Sequence, residues 1–358
     1  MSEIRQSKGM TLVEMMVAIA ITFIVMAMST SIFMSQYKSY NRGKNVKEAQ
    51  QSGQEVIGLI KSDLMEAGWS VSPRMAFYFQ DGGAVNGSDT IVLNDTSIIS
   101  LANDPNARAL VLGSNYPGCA AIINNTPSSS INVSLLDIDG DLTSDFLPGR
   151  QQYVISDGTV VGQKIARITT IAGNTVNLAS NLTGTMVAPG IFYCVDEPSN
   201  ALCSSGTATY ELRRNDRHVF GRQPIAENVV DLQVAYKDNN DSACSANVNP
   251  NDCDAASGCG WLNNQCTGYW YGKAGCAGQG NGPGFCTLSP FDSGQVTLIR
   301  ISVVTRSANL VDGSRMNPSY CRPAVENRTA AALGSQTDCG YVFRTYSAVI
   351  QPRSNRAQ

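Results

Sequence analysis

The chain has 358 residues, enough for one head domain with insertions or for two small domains. Only 15% of its residues are charged, and 29 acidic against 26 basic side chains leave a net charge of −3. That balance lacks the basic excess of a general nucleic-acid binder, so no nucleic-acid partner is expected.

Met10 to Met34 is apolar apart from Glu14 and a few Ser and Thr residues. As a helix it measures about 37 Å, long enough to cross a bilayer. Arg5 and Lys8 precede it and predict a cytoplasmic N-terminus with an exported C-terminal portion. A cleaved secretory signal has a shorter apolar core followed by a small-x-small site, whereas this segment runs on into a longer helix, so a conventional cleaved signal is not expected. Glu14 stands inside the apolar run with no cationic side chain in it, and a charge so placed costs a few kcal/mol.

The helical pattern runs on past the apolar stretch. Ala49, Gly53, Val56, Ile57, Ile60 and Leu64 recur at three- and four-residue steps, while Lys47, Glu48, Gln54, Glu55, Lys61 and Asp63 are predicted to face away. Pro73, after Gly68, marks where the helix gives way. One helix of about 55 residues is expected, its far end covered by the chain's own head.

Lys8-Gly9-Met10-Thr11-Leu12-Val13-Glu14 resembles the class III signal of type IV prepilins. The resemblance implies that a prepilin peptidase cuts between Gly9 and Met10 and that Met10 becomes the N-methylated first residue. Glu14 then corresponds to the family's assembly carboxylate, and Met10 stands where phenylalanine is commoner. A carboxylate in hydrocarbon gains most from a cation, which the new amino terminus of a neighbouring subunit supplies.

Beyond Pro73 the chain reads as strands and loops. Val230, Leu232, Val234 and Tyr236 alternate with Asp231, Gln233, Ala235 and Lys237. Ile299, Ile301 and Val303 alternate with Arg300, Ser302, Val304 and Arg306, and Val342, Tyr346 and Ile350 share one face. Such period-two patterning predicts an antiparallel sheet covered on one side, with the amphipathic helix end as its cover. The expected class is therefore α+β.

Two stretches read as insertions. Tyr153 to Leu178 is predicted to be a small β-meander, with turns at Asp157-Gly158 and Gly173-Asn174. Asn239 to Gly294 is rich in Gly, Asn and Cys. It holds Cys244, Cys253, Cys259, Cys266, Cys276 and Cys286, which allow fifteen pairings. The eleven cysteines include no C-x-x-C pair and accompany one histidine, which favours disulfides in an oxidising compartment over a zinc site. Cys194 with Cys203 and Cys321 with Cys339 are the candidate local pairs, and the odd count leaves one thiol over or shared between chains.

Asp137, Asp139, Asp141 and Asp145 around Gly140 offer alternating carboxylates, either a Ca²⁺ loop or a solvated turn. Glycine falls fourth and Pro148 twelfth, which departs from the EF-hand pattern. Asp238 and Asp241 are a weaker version of the same motif. His218 lies among Asp216, Arg217 and Arg222 without a nucleophile signature, so no catalysis is expected and no cofactor is required. Trp261, Tyr269, Trp270, Tyr271 and Phe285 crowd the cysteine-rich stretch, as a recognition patch or as its miniature core.

The resemblance narrows in the head. Leu59 to Trp69 is similar to the helix end of PilW-type minor pilins and J-type secretion pseudopilins. Tyr210 to Arg213, Ile225 to Tyr236, Arg300 to Arg306 and Phe343 to Tyr346 are similar to their distal strands, and length favours the PilW type. The resemblance implies a type IV pilin-like chain divided into a leader at 1–9, a helix at 10–70 and a periplasmic head at 71–358. Within these, 10–34 is the membrane segment, and 153–178 and 239–294 are the insertions. It implies an inner-membrane precursor that joins other minor pilins and the major pilin, primes pilus assembly and sits with a tip adhesin. The alternatives are a type II secretion pseudopilin and a surface-binding module built on the cysteine-rich stretch.

Overall fold

The computed structural model describes residues 11–80, 87–96, 118–124, 127–140, 142–148, 152–160, 163–197, 203, 209–215, 223–238, 249, 259–262, 265–268, 293–311, 316–326, 328, 330–335 and 338–352. Helix α1 runs from Leu12 to Glu66 without interruption. The chain divides into two units, Met1–Glu48 and Ala49–Gln358, so α1 contributes its first part to one and its last part to the other.

In the second unit, the end of α1 has one buried stripe. Ala49, Gly53, Val56, Ile60, Leu64 and Ala67 are buried, while Gln54, Glu55 and Lys61 are exposed. Gly53 is required by close approach, because a Cβ there would lie 2.2 Å from the Tyr346 ring. Thr305 Oγ1 donates to the Ala49 carbonyl at 2.8 Å, a second tie at the same end. The helix stops at Gly68, whose φ of 88° suits glycine. Asn94 closes that end: its Oδ1 accepts from the Gly68 N–H at 2.7 Å, and its Nδ2 donates to the Trp69 carbonyl at 3.2 Å.

Fifteen strands follow among the described residues. They are β1 (Phe77–Gln80), β2 (Thr90–Asn94), β3 (Ala120–Ala121), β4 (Ser128–Asn132), β5 (Tyr153–Ser156), β6 (Ile165–Ala172), β7 (Thr175–Leu182), β8 (Met186–Val195), β9 (Glu211–Asn215), β10 (Gln223–Glu227), β11 (Val229–Asp238), β12 (Cys259–Leu262), β13 (Gln265–Gly268), β14 (Val296–Arg306) and β15 (Phe343–Ile350). Ten of them form one antiparallel sheet with the path β1-β2-β8-β5-β6-β7-β4, to which β3 and β9 add on β8 and β10 adds on β9. Strand β8 is its spine: β3 and β2 share one of its edges, β5 and β9 the other. A second sheet, β11-β14-β15, is also antiparallel. Helix end, ten-stranded sheet and three-stranded sheet share one core that includes Ile60, Leu64, Leu93, Phe192, Leu232 and Ile301. The head is thus α+β, a helix end against antiparallel sheet.

The sheets extend one expectation and correct another. The stretch 153–178 is a meander, β5-β6-β7, that runs on to Leu182 and joins the main sheet where β5 pairs with β8. The reason is its own apolar face: Val154, Ile168, Val176, Leu178 and Leu182 join Phe146 and Ile131 in a second core cluster. The sheet at β11 is also covered on both sides. Asp231, Gln233 and Ser302, predicted for the solvated face, are buried. Charged residues distant in sequence meet them there, as set out below. Among the described residues the strands β12 and β13 pair with each other as a hairpin, and most of 239–294 lies outside those residues.

Candidate assembly segment and the head it joins

The first part of α1 presents apolar side chains on every side. Between Leu12 and Met34 its large hydrophobic residues are 52% to 76% exposed. A helix apolar all round and bare of protein is suited to hydrocarbon or to neighbouring helices, not to water. Its length and composition fit a single membrane crossing. The hydroxyls of Thr22 and Thr30 are internally satisfied by the carbonyls of Ala18 and Met26, at 2.7 and 2.8 Å.

Glu14 occupies the first turn. Its Oε2 accepts from the Thr11 N–H at 2.9 Å and from the Thr11 hydroxyl at 3.1 Å. In return the Glu14 N–H donates to Thr11 Oγ1 at 3.3 Å. This is a reciprocal capping box, in which residue N-cap and residue N3 each satisfy an orphan donor of the other. The carboxylate also lies at the positive end of the helix dipole. The charge that lacks a cation in the sequence therefore has local donors in the folded subunit. Thr11 is the partner that sequence reasoning passed over, although Thr-x-x-Glu ahead of an apolar run is a legible capping signal. Gly9 and Met10 lie outside the described residues.

The helix end is held to the head by charge as well as by packing. Asp63, expected to face away, is drawn in: Tyr193 on β8 donates its hydroxyl to Asp63 Oδ2, and Arg214 on β9 pairs with the same oxygen at 3.1 Å. Burial, with the Asp63 carboxylate second, pushes the Tyr193 phenol well above its ordinary range. The hydroxyl is thus fixed as a donor.

On the outer face of the three-stranded sheet, Arg328 is the hub of a buried ionic cluster. Its Nη1 meets Asp231 Oδ1 at 2.8 Å and Ser88 Oγ at 3.1 Å, and its Nη2 meets Glu197 Oε2 at 2.8 Å. Glu197 Oε1 also accepts from the Ser88 N–H, and Gln233 Nε2 donates to Asp231 Oδ1 at 2.9 Å. Arg322 lies 3.8 Å from the other Asp231 oxygen. Burial raises the Glu197 carboxyl above its usual range despite the opposing Arg328 charge. Nearby, Glu326 grips Arg300 through two bonds of 2.7 Å. Arg322, Glu326 and Arg328 all lie inside the loop closed by Cys321–Cys339, and Glu197 lies inside the loop closed by Cys194–Cys203. The two disulfides, each joining the pair expected from spacing, thus carry the segments that the cluster ties together.

Other candidates resolve differently. Asp137, Asp139 and Asp145 each bring one oxygen to within 4.8 Å of the others, a set of hard ligands of the kind Ca²⁺ takes. The same carboxylates hold their own loop: Asp137 accepts from the Gly140 and Leu142 amides at 2.7 and 2.9 Å, and Asp145 from the Ile138 amide at 2.7 Å. Asp141, Asp241, His218, Cys244, Cys253, Cys276, Cys286, Tyr269, Trp270, Tyr271 and Phe285 lie outside the described residues. Cys259, Trp261 and Cys266 sit on the β12–β13 hairpin. Cys119 is the free cysteine of the described residues, its thiol pushed up to about 12 by burial and 3.8 Å from the Met75 sulfur. A thiol so raised stays protonated and unreactive.

Residues 4–30 match the prokaryotic N-terminal methylation motif. No curated protein matches the chain. A solved structure, a type IV-like pilin from Thermus thermophilus, shares 13% identity over 58% of this chain and 85% of its own, with a TM-score of 0.21. Similarity at that level says nothing of partners or assembly. What the comparisons establish for this chain is a prokaryotic N-terminal methylation motif over residues 4–30, at the start of the long helix α1.

Proposed function

We propose that this chain is a minor pilin of the PilW type, cut after Gly9 and N-methylated at Met10, that docks with other minor pilins to prime type IV pilus assembly. The observation that carries the reading is the capped carboxylate at the start of an exposed apolar helical segment of membrane-spanning length. Held by Thr11, Glu14 stays hydrogen-bonded while the precursor waits in the inner membrane with its N-terminus cytoplasmic and its head periplasmic. A neighbour's new amino terminus then offers a cation, which a carboxylate in hydrocarbon favours over neutral donors. The helix supplies the rest of the docking through packing, and the head presents an interface to other minor pilins, the major pilin or a tip adhesin. The work is assembly, with no chemical step assigned to any residue.

Deletion of the gene tests this directly. The proposal expects loss of surface pili and twitching, restored by the wild-type chain and not by Glu14→Ala. Intact pili with lost exoprotein secretion would assign the chain to a type II secretion system instead. Normal piliation with Glu14→Ala would remove the docking role. Deleting 239–294 separates assembly from surface binding, because retained assembly with lost adhesion would place a binding function on that stretch.

A further inference from the structure

Immediately after the apolar span, the helix carries an anomaly of charge. Lys38, Arg42, Lys44 and Lys47 follow Met34 within about 15 residues, the distance over which flanking cations orient a span. They stand on the side opposite Arg5 and Lys8, and so work against the orientation that those two predict. An orientation signal spent in this way needs another use on the side where the chain continues into its head.

The placement of these residues indicates the use. Tyr37, Tyr40, Lys44 and Lys47 follow one another at steps of three, four and three, so they line one face of α1, with Lys38 beside them. All five are exposed; Tyr37 is 55% and Tyr40 70% open. Phe33 stacks on Tyr37 with ring centroids 6.5 Å apart, joining the stripe to the apolar span. Lys44 has an exposed partner in Glu48 at 3.7 Å, a pair worth little in water.

Leu12 to Met34 measures about 34 Å against a hydrocarbon core of about 30 Å, so it fits with a modest tilt. The headgroup layer beyond adds roughly 5–8 Å. Tyr37 then lies about 4 Å past the hydrocarbon edge, inside the layer where amphipathic rings concentrate, and Tyr40 about 9 Å along the helix, at the outer margin of that layer. Lys44 lies about 15 Å along, and its four-carbon stem reaches back toward the interface.

We propose that Tyr37, Lys38, Tyr40, Lys44 and Lys47 form an interfacial collar that binds anionic phospholipid headgroups on the head side of the membrane. The proposal rests on Leu12–Met34 spanning a bilayer, as the proposed function requires. The tyrosines set the depth of the helix, and the lysines meet headgroup phosphates and the negative surface around them. Lys38 and Lys44 contribute most, and Lys47, farthest out, least. The collar holds the precursor at one height until assembly draws it from the membrane.

The test uses the full chain, exchanging between vesicles of phosphatidylcholine alone and vesicles doped with phosphatidylglycerol. Wild type is expected to favour the anionic vesicles, with the preference shrinking as salt is raised. Replacing Lys38, Lys44 and Lys47 by Gln should cut that preference by up to about fivefold per lysine. Lys44→Arg should keep it. The leader cations are common to all the chains and cancel in the ratio. No preference in wild type, or an undiminished one in the triple variant, overturns the collar. Failure of the chain to enter either vesicle overturns the membrane span itself.

Discussion

One helix, two solvents: the first part of α1 shows apolar side chains on every side, while the part beyond Ala49 buries only a stripe. The backbone is continuous and helical in both. What differs is the periodicity of the side chains, and that difference decides what each part needs. An apolar surface on all sides has to be met by lipid or by other helices, so its function depends on what lies outside the chain. A stripe at steps of three and four is completed by the chain's own sheets, so its effect is measured in head stability.

The sharpest way to break this division is to cut the same kind of side chain from each part. Leu64→Ala should cost the head about 2–5 kcal/mol, read as a lower Tm of the full chain in detergent. Ile24→Ala, in the exposed part, should leave that Tm in place. Equal shifts would contradict the separation.

Two glycines of the head-side part give a finer contrast. Gly53→Ala forces a methyl into the Tyr346 ring and should cost about 1–3 kcal/mol. Gly58 has nothing within 4 Å of an added Cβ, so Gly58→Ala should stabilise by about 0.5–1 kcal/mol through helix propensity. Smaller still, Asp63→Asn should cost about 1 kcal/mol by weakening the bonds from Tyr193 and Arg214, because Asp63 itself is partly solvated.

The smallest expected effect concerns pH. Glu197 is raised above the ordinary carboxylate value by burial. A carboxyl raised in the folded state favours the fold most when protonated, so its contribution is complete below the unfolded value of 4.5 and declines as pH rises through the folded one. The stability of wild type relative to Glu197→Gln should therefore increase as pH falls from neutral toward 4.5, checked by denaturant midpoints across that range. A difference that shrinks on acidification would show that the Arg328 pair, not burial, governs the group.

Much of this was legible in the sequence because its cause is local. The helix and its stripe follow from the spacing of Ala49, Gly53, Val56, Ile60 and Leu64, and the strands β11, β14 and β15 follow from alternation. The two short-range disulfides follow from cysteines near one another in the chain. The burial of Asp231 and Gln233 was not legible, because alternation shows that a face is polar but not whether water or another polar layer covers it. Arg328 stands almost a hundred residues from Asp231, and no local pattern couples the two. Asp63 misled for the same reason: on a helical wheel it belongs with the solvated residues, and only β8 and β9 supply the hydroxyl and guanidinium that draw it in. At the start of α1, the motif around Glu14 was plain, while its pairing with Thr11 needed the helix start to be placed at Leu12.

The central claim, that residues 10–34 are a processed assembly segment and not a permanent anchor with an intact leader, is tested most directly by the mass of the N-terminal peptide. The full chain, expressed with a prepilin peptidase and isolated from membranes, should yield a peptide that begins at Met10 and carries one N-methyl group. A peptide that still begins at Met1, or one cut at any other bond, would contradict it.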